Sequence, residues 1–182
     1  MNMKRGLTAC ALLLLCGAAA PSFADTLTYT ATLKGSNEAP TPNASTAMGF
    51  GTFTLTGDLL TVNLTFAGLS APAAAAHIHC CGPIGVSEPV VLPFGDFPHA
   101  ISGSYSNSYT LSAITLLAGV TEAQLIAGLS SGLAYANIHD SVYPGGEIRG
   151  QILAPVPEPG SLLLMATGLA GVAGAVRRRM MV

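Results

Sequence analysis

Residues 137–152 read NIHDSVYPGGEIRGQI, and this stretch decides how the last part of the chain folds. Gly145 and Gly146 form the centre of a Pro-Gly-Gly turn, because glycine adopts the positive φ values that a tight turn demands. Apolar and polar side chains alternate on both sides of the turn. Side chains two residues apart on a strand point to the same face. The stretch therefore predicts two strands, the last of them entered through a tight turn.

Arg149 is one of only two basic residues between positions 25 and 155, so we expect it to have a defined partner. Alternation places Glu147 and Arg149 on one strand face, opposite Ile148. The candidate partners are Glu147 itself, Glu38 or a backbone carbonyl, and a bidentate carboxylate bond would hold the guanidinium firmly. We interpret the segment as a last strand pinned in place rather than as a catalytic motif.

The chain has four histidines, and three of them are candidate metal ligands. His77 and His79 share one strand face, and His139 lies on a later strand. If these strands are neighbours, three imidazoles converge. Three His ligands with an open position suit copper or zinc. His99, which follows a proline, is a candidate fourth ligand from a loop. The alternative is that the histidines are fold determinants, with their ring nitrogens satisfied by backbone, Tyr or Asn groups.

Cys80 and Cys81 are adjacent and follow His79 directly. A usual disulfide framework needs separated cysteine pairs. Four states stay open for these two residues: a vicinal disulfide, a bridge between chains, metal ligation, or two reduced thiols in a loop.

Period-two alternation dominates the rest of the chain and is typical of half-buried strands. Clear examples are TLTYTATLK (residues 26–34) and LLTVNLTFAG (residues 59–68), and GFGTFTL, PVVLPF and ISGSYSNSYTL add three more candidates. Turn residues interrupt these runs at short intervals, which favours an antiparallel β-sandwich or barrel. One short helix is predicted after Thr121, where TEAQ forms a capping box. The predicted fold class is all-β.

The first 24 residues read as a secretory signal peptide. Lys4 and Arg5 give a positive start, and the apolar run ALLLLCGAAA follows. Small residues precede the junction of Ala24 and Asp25, so we expect cleavage there.

The C-terminal segment combines Pro157-Glu158-Pro159, an uncharged apolar run and the cluster Arg177, Arg178 and Arg179. All three parts, within residues 156–182, resemble the PEP-CTERM sorting signal of Gram-negative bacteria. The resemblance implies recognition by an exosortase in the inner membrane and export to the cell surface, in species that build exopolysaccharide or biofilm. The apolar run, at about residues 161–176, would be a short transmembrane segment with its Arg-rich end in the cytoplasm. Such a precursor is anchored in the membrane before it reaches the surface.

The remaining residues, 25–155, have the size of one domain. They contain two basic and eight acidic residues, a net charge of −6. Binding to a phosphate backbone needs clustered Lys and Arg side chains. The composition therefore excludes a nucleic-acid-binding role.

Three segments of this domain together resemble the CHRD domain, a chordin-type family that is widespread in exported bacterial proteins. They are LKGSNEAPTPNASTAMGFGTFTL, AGLSAPAAAAHIH and LAYANIHDSVYPGGEIRGQIL. The resemblance implies an immunoglobulin-like sandwich, distantly similar to copper/zinc superoxide dismutases, with Gly146, Glu147, Arg149 and Gly150 as a structural motif. His77, His79 and His139 are similar to three copper ligands of the dismutase fold. CCGPIGVSEPVVLPF, which follows His79, has neither His nor Asp for a zinc loop, so the resemblance supports metal binding and not dismutase activity.

The sequence thus supports three functional hypotheses. The leading one is a non-enzymatic CHRD protein with a binding or scaffolding role at the cell surface or in the extracellular matrix, partnered by exopolysaccharide or a surface protein. An alternative is a copper- or zinc-binding protein, with redox activity, that uses His77, His79 and His139. A second alternative is an enzyme acting on surface polysaccharide.

Overall fold

The computed structural model describes residues 25–155, 164–165, 167–169 and 177–178. Residues 25–155 contain eight strands, one α-helix and two short 3-10 turns. The strands are β1 Thr26–Lys34, β2 Met48–Thr56, β3 Leu59–Ala67, β4 Ala75–His79, β5 Val90–Pro93, β6 Gly103–Thr110, β7 Tyr135–His139 and β8 Ile148–Gln151. The helix, α1, spans Glu122–Ser130, and the 3-10 turns span Gly35–Asn37 and Leu111–Ala113.

All eight strands belong to one antiparallel sheet that curls into a half-barrel, in the order β5-β4-β7-β8-β1-β2-β3-β6. The predicted all-β antiparallel class with one short helix is confirmed. The order also places β4, which carries His77 and His79, beside β7, which carries His139. The two segments that raised the metal question are therefore direct neighbours.

The core fills the concave side of the sheet, and alternation explains which residues reach it. On β3, Leu60, Val62 and Leu64 are buried and the residues between them point outward. Ile78, from β4, and Ile148, from β8, are fully buried on the same side. Within the described residues, every buried hydrophobic side chain lies between Tyr29 and Ile152. The domain thus carries its own core.

Helix α1 closes one side of this core. Thr121 caps it as predicted: its hydroxyl accepts from the Gln124 N–H at 3.3 Å, and the Gln124 side-chain oxygen accepts from the Thr121 N–H at 2.8 Å. Leu125 and Leu129 are the buried anchors of the helix. Cys80 and Cys81 form a vicinal disulfide. A side chain at Gly128 would clash with both sulfur atoms, so glycine there lets the helix pack against the disulfide.

The outer face of the sheet has two different halves. On β1, β2, β3 and β6 it carries mostly exposed Thr and Ser side chains. On β7 and β8 the outward side chains Tyr135, Asn137 and Arg149 are all buried. The backbone carbonyls of Val86 and Glu88, from the loop between β4 and β5, accept hydrogen bonds from Arg149 and Tyr135 on this half and, for Glu88, also from His79 on the neighbouring β4. A covered polar layer therefore lies outside the core, and it contains the three histidines.

Residues 1–24 and most of 156–182 lie outside the described part, and with them the predicted signal peptide, the Pro-Glu-Pro motif and most of the apolar run. Among the residues that the structure does describe, no helix has the length and apolar character needed to span a membrane.

Candidate metal centre

His77, His79 and His139 form a compact cluster on the covered polar half of the sheet. Antiparallel pairing sets Ala75 opposite His139 and His77 opposite Asn137, so the three imidazoles project from adjacent positions of two strands. The ring centroids are 5.1 Å apart for His77 and His139, 5.7 Å for His77 and His79, and 6.2 Å for His79 and His139. One ring nitrogen of each residue lies within 4.8 Å of those of the other two.

Backbone carbonyls fix the orientation of two of these rings. Nδ1–H of His79 donates to the carbonyl of Glu88 at 2.7 Å, and Nδ1–H of His139 donates to that of Pro144 at 3.0 Å. A carbonyl only accepts, so the proton of each neutral ring is on Nδ1 and the lone pair is on Nε2. Carbonyl partners of this kind are what hold metal-ligating histidines in place.

The remaining nitrogens have no partner in the described structure. Nδ1 of His77 and Nε2 of both His79 and His139 are buried and make no hydrogen bond. A buried polar atom without a partner costs free energy, and native proteins contain few of them. Hydrogen bonding within the fold does not explain three such atoms in one cluster of histidines. The geometry therefore favours a ligand site over histidines that serve only as fold determinants.

Burial keeps these imidazoles neutral. It lowers the pKa of His77 to about 4, with further lowering by the charges of His139 and His79. Burial also lowers the pKa of His79 and that of His139. Only the neutral imidazole binds a metal. At neutral pH all three rings are thus in the form that ligates.

Copper and zinc bind imidazole nitrogens at about 2.0–2.1 Å, which sets ligand nitrogens roughly 3–4 Å apart. The candidate ligand nitrogens of the cluster lie within 4.8 Å of one another, so only a small movement of the rings brings them into that range. Three protein nitrogens leave a fourth coordination position open. The residues present therefore fit a three-histidine copper or zinc site.

The other candidate ligands lie elsewhere. His99 is exposed and bonds through Nδ1 to the carbonyl of Ala73 at 2.9 Å, so the structure does not bring it to the cluster. Cys80 and Cys81 bond to each other. Of the states left open for the cysteines, the structure has the vicinal disulfide.

Glu38 and Asn137 lie next to the cluster. From the sequence, Glu38 was a candidate only as a partner of Arg149. Nδ2 of Asn137 donates to Oε2 of Glu38 at 3.4 Å, while Oδ1 of Asn137 and Oε1 of Glu38 are buried without partners. Burial raises the pKa of Glu38 to about 7, against the lowering effects of Asn137 and Arg149. Gly146 leaves room for this pair, because a Cβ there would lie 2.6 Å from Nδ2 of Asn137 and 2.8 Å from Oε2 of Glu38.

Arg149 reaches the cluster through an aromatic stack. Its guanidinium carbon lies 3.4 Å from the centroid of the Tyr135 ring, and that ring stacks on His79 with centroids 4.6 Å apart and planes 4° apart. Nη2–H of Arg149 donates to the carbonyl of Val86 at 2.8 Å. Of the three candidate partners, the structure thus gives Arg149 a backbone carbonyl, together with an aromatic face.

Glu147 was a candidate partner of Arg149, because alternation placed the two on one strand face, but it bonds to other groups. It precedes β8, is fully buried and accepts from the hydroxyl of Ser45 at 2.7 Å and from the N–H of Ser70 at 2.9 Å. Asp140 accepts from the next N–H, that of Ala71, at 2.7 Å. Two buried carboxylates therefore tie the loop between β3 and β4 to the segment between β7 and β8.

Sequence reasoning missed Asp140 and Ser70. Asp140 also accepts from the N–H groups of Val142 and Tyr143, at 3.0 and 2.6 Å. This local pattern is an Asx turn, which DSVY could have indicated. Burial alone raises the pKa of Asp140, but hydrogen bonds, led by that of Tyr143, outweigh it and hold the pKa below its usual range. No sequence signal points to Ser70, since its partner is 77 positions away.

Gly150 completes the motif around Glu147 and Arg149. A Cβ at this position would lie 2.7 Å from the carbonyl oxygen of Thr32 and 3.1 Å from the backbone nitrogen of Leu33. Only glycine therefore lets β8 approach β1 so closely. Glycine at this position closes the sheet beside the histidine cluster.

Comparison with known proteins agrees with this architecture. The profile of the CHRD domain matches residues 29–152, and that of the PEP-CTERM protein-sorting motif matches residues 155–179. No curated protein and no solved structure matches the chain. The sorting motif implies processing by an exosortase, export and sorting to the cell surface. Because the first profile covers most of its length, the chain belongs to the CHRD domain family.

Proposed function

We propose that this CHRD protein binds one copper or zinc ion through His77, His79 and His139 and acts at the cell surface as a non-enzymatic binding protein. The observation that carries the proposal is the compact cluster of the three histidines, each of which has a buried ring nitrogen without a hydrogen-bond partner. Two of the rings are already oriented by backbone carbonyls, so the ligand atoms are preorganised.

The donor set narrows the choice of metal. Three neutral imidazoles suit copper and zinc better than calcium or magnesium, which prefer oxygen ligands. Copper(II) binds a given nitrogen site more tightly than zinc in the Irving–Williams order. Where both ions are available, copper is therefore the expected occupant, and a redox-inactive zinc form is the expected alternative.

Location supports a binding or scaffolding role for the wider protein. The sorting motif implies that the domain works outside the inner membrane, where surface polymers and surface proteins are the available partners. Outside the polar layer, the exposed faces of β1, β2, β3 and β6 carry mostly uncharged hydroxyl side chains. A neutral face of this kind suits contact with hydrated surface material.

The test is a titration of the chelator-treated, full-length protein in mild detergent with copper(II), followed by electron paramagnetic resonance. The proposal predicts one equivalent of bound copper whose spectrum shows nitrogen hyperfine coupling from three imidazoles. His79→Gln should remove that signal, whereas His99→Gln, which changes an exposed histidine outside the cluster, should preserve it. Copper bound equally well by the His79→Gln variant would reject the proposed site.

A further inference from the structure

A second site lies beside the histidine cluster, on the outer side of β1 and β8. An open pocket of about 580 Å³ is formed there by the two strands, the segment after β1 and the loop after β4. Its volume falls within the range of roughly 300–1,000 Å³ that is typical of small-molecule sites. Five of its lining residues carry the argument: Thr30, Thr32, Ser36, Arg149 and Gln151.

The two basic residues of the domain lie side by side, and one of them, Arg149, lines this pocket. Lys34 and Arg149 are the only basic residues between positions 25 and 155, and they are direct cross-strand partners on β1 and β8. Like charges directly opposite each other in a sheet are destabilising. A domain with eight acidic residues has ample means of separating its two cations, yet they lie side by side. A bound anion would turn this repulsion into attraction.

Arg149 is held rigidly enough to recognise such an anion. It is 2% exposed, its guanidinium lies on the Tyr135 ring at 3.4 Å, and Nη2–H is fixed by the carbonyl of Val86. That carbonyl is its one hydrogen-bond acceptor in the described structure, whereas a guanidinium has five N–H donors. A preoriented guanidinium edge is matched by a carboxylate, which accepts two parallel hydrogen bonds.

The other polar groups of the pocket call for hydroxyl groups on the same ligand. Thr30, Thr32 and Ser36 supply hydroxyls that both donate and accept. Gln151 supplies its amide oxygen, because its Nε2 already donates to the carbonyl of Gly132. Glu38 also lines the pocket, but it is only 7% exposed and its unpartnered Oε1 is buried, so it is not among the groups that contact the ligand. A ligand with several hydroxyl groups satisfies this mixture of donors and acceptors.

We propose that the pocket binds a sugar acid, with the ligand carboxylate on the guanidinium of Arg149 and its hydroxyls on Thr30, Thr32 and Ser36. The site is separate from the three histidines and does not depend on a metal. A free sugar acid and a uronate residue of an acidic polysaccharide present the same chemistry to it.

The experiment titrates the chelator-treated, full-length protein in mild detergent and follows binding by calorimetry. Glucuronate should bind, and glucose, which lacks the carboxylate, should bind at least about tenfold more weakly. Alanine, whose carboxylate comes with an ammonium group and no hydroxyl, should also bind at least about tenfold more weakly. A glucuronate-containing oligosaccharide is the fourth ligand. Tighter binding of the oligosaccharide than of free glucuronate identifies a polymer as the source, and equal binding identifies the free acid.

Matched variants locate the binding. Arg149→Lys keeps the charge but loses the planar fork, and should weaken glucuronate binding about tenfold or more. Thr32→Val removes one lining hydroxyl and should weaken binding by about threefold to tenfold. Thr54→Val makes the same change on the same outer face, away from the pocket, and should leave affinity unchanged.

Melting curves identify any variant that fails to fold; if Arg149→Lys does so, the comparison of Thr32→Val with Thr54→Val decides. Absence of glucuronate binding, equal binding of glucose or alanine, or equal effects of the two Thr variants would overturn the proposal.

Discussion

The carboxylate of Glu147 accepts hydrogen bonds from both the backbone N–H and the hydroxyl of Ser70, at 2.9 and 2.8 Å. Glu147 is fully buried, so the contact ties the entrance of the last strand to the loop that precedes β4. That loop delivers His77 and His79 to their places beside His139. The fold and the candidate metal centre therefore depend on the same carboxylate.

The first prediction is that Glu147→Ala destabilises the domain by about 3 kcal/mol. The substitution leaves the buried N–H and hydroxyl of Ser70 without their acceptor, and hydrogen bonds to a charged group are worth about 1.5–3 kcal/mol each. Urea denaturation followed by circular dichroism measures the change. Glu122→Ala, in the first turn of α1, is the matched control and should change stability by less than about 1 kcal/mol. Equal stabilities for the two variants would show that Glu147 does not stabilise the fold by tying the last strand to the loop before β4.

A pair of glycines gives the second prediction. Gly150→Ala pushes a Cβ into the backbone of β1 and should cost at least about 2 kcal/mol. Of the two turn glycines expected to have positive φ, only Gly146 has it, at 131°. Gly145→Ala adds the same methyl group where no atom lies within 4 Å, and should change stability by less than about 1 kcal/mol. The two melting temperatures decide. A Gly150→Ala protein as stable as the Gly145→Ala protein would contradict the close approach of β8 to β1.

The third prediction concerns pH. The pKa of His77 falls from 6.5 to about 4 on folding, and those of His79 and His139 are also lowered, so the unfolded chain binds more protons than the folded one in this window. The stability that the three neutral histidines contribute to the metal-free protein is therefore fully present above pH 6.5 and is lost as the pH falls towards 4. Glu38 acts in the opposite sense, since its pKa is raised from 4.5 to about 7. Because three histidines lose stability on acidification and only one carboxyl gains it, we expect the protein as a whole to become less stable as the pH falls.

Urea midpoints of the chelator-treated protein, measured from pH 6.5 down to about 4, test this balance. The midpoint should decrease steadily with decreasing pH. The decrease should be shallower in His77→Phe than in the parent protein. A midpoint that rises on acidification would mean that Glu38, and not the histidines, dominates the proton linkage.

The C-terminal motif gives the fourth prediction. Removal of residues 157–182 should abolish sorting to the cell surface and leave the domain folded, because the buried core ends at Ile152. Cell fractionation with an antibody against the domain measures the location, and a melting curve checks the fold. Pro157→Ala combined with Glu158→Ala should reproduce the sorting defect without shortening the chain. Normal sorting of both variants would contradict the role of the motif.

Local patterns in the sequence predicted a large part of this structure. Period-two alternation identified the strands, and the TEAQ capping box located the start of α1 at Thr121. The spacing of two residues between His77 and His79 placed both side chains on one face of a strand. These features are encoded by neighbours in the chain, and reading them requires no knowledge of the tertiary structure.

Contacts between distant residues were beyond such patterns. Glu38 lies 99 positions from Asn137, and Glu147 lies 77 from Ser70. The pairing of β4 with β7 depends on the closure of the whole sheet. From the sequence alone, we could therefore predict that the three histidines converge only if these two strands are neighbours. The stack of Arg149, Tyr135 and His79 had no sequence signal, since it forms across β8, β7 and β4.

The most direct test of the central claim is the metal content of the full-length protein, purified without a polyhistidine tag from a strain supplied with copper and zinc. Inductively coupled plasma mass spectrometry is run on it and on the His77→Ala/His79→Ala double variant. We predict about one copper or zinc ion per chain in the parent protein and none in the variant, since two of three ligands are lost. Equal metal content in the two proteins, or no metal in the parent, would contradict the assignment and make the three histidines elements of the fold alone.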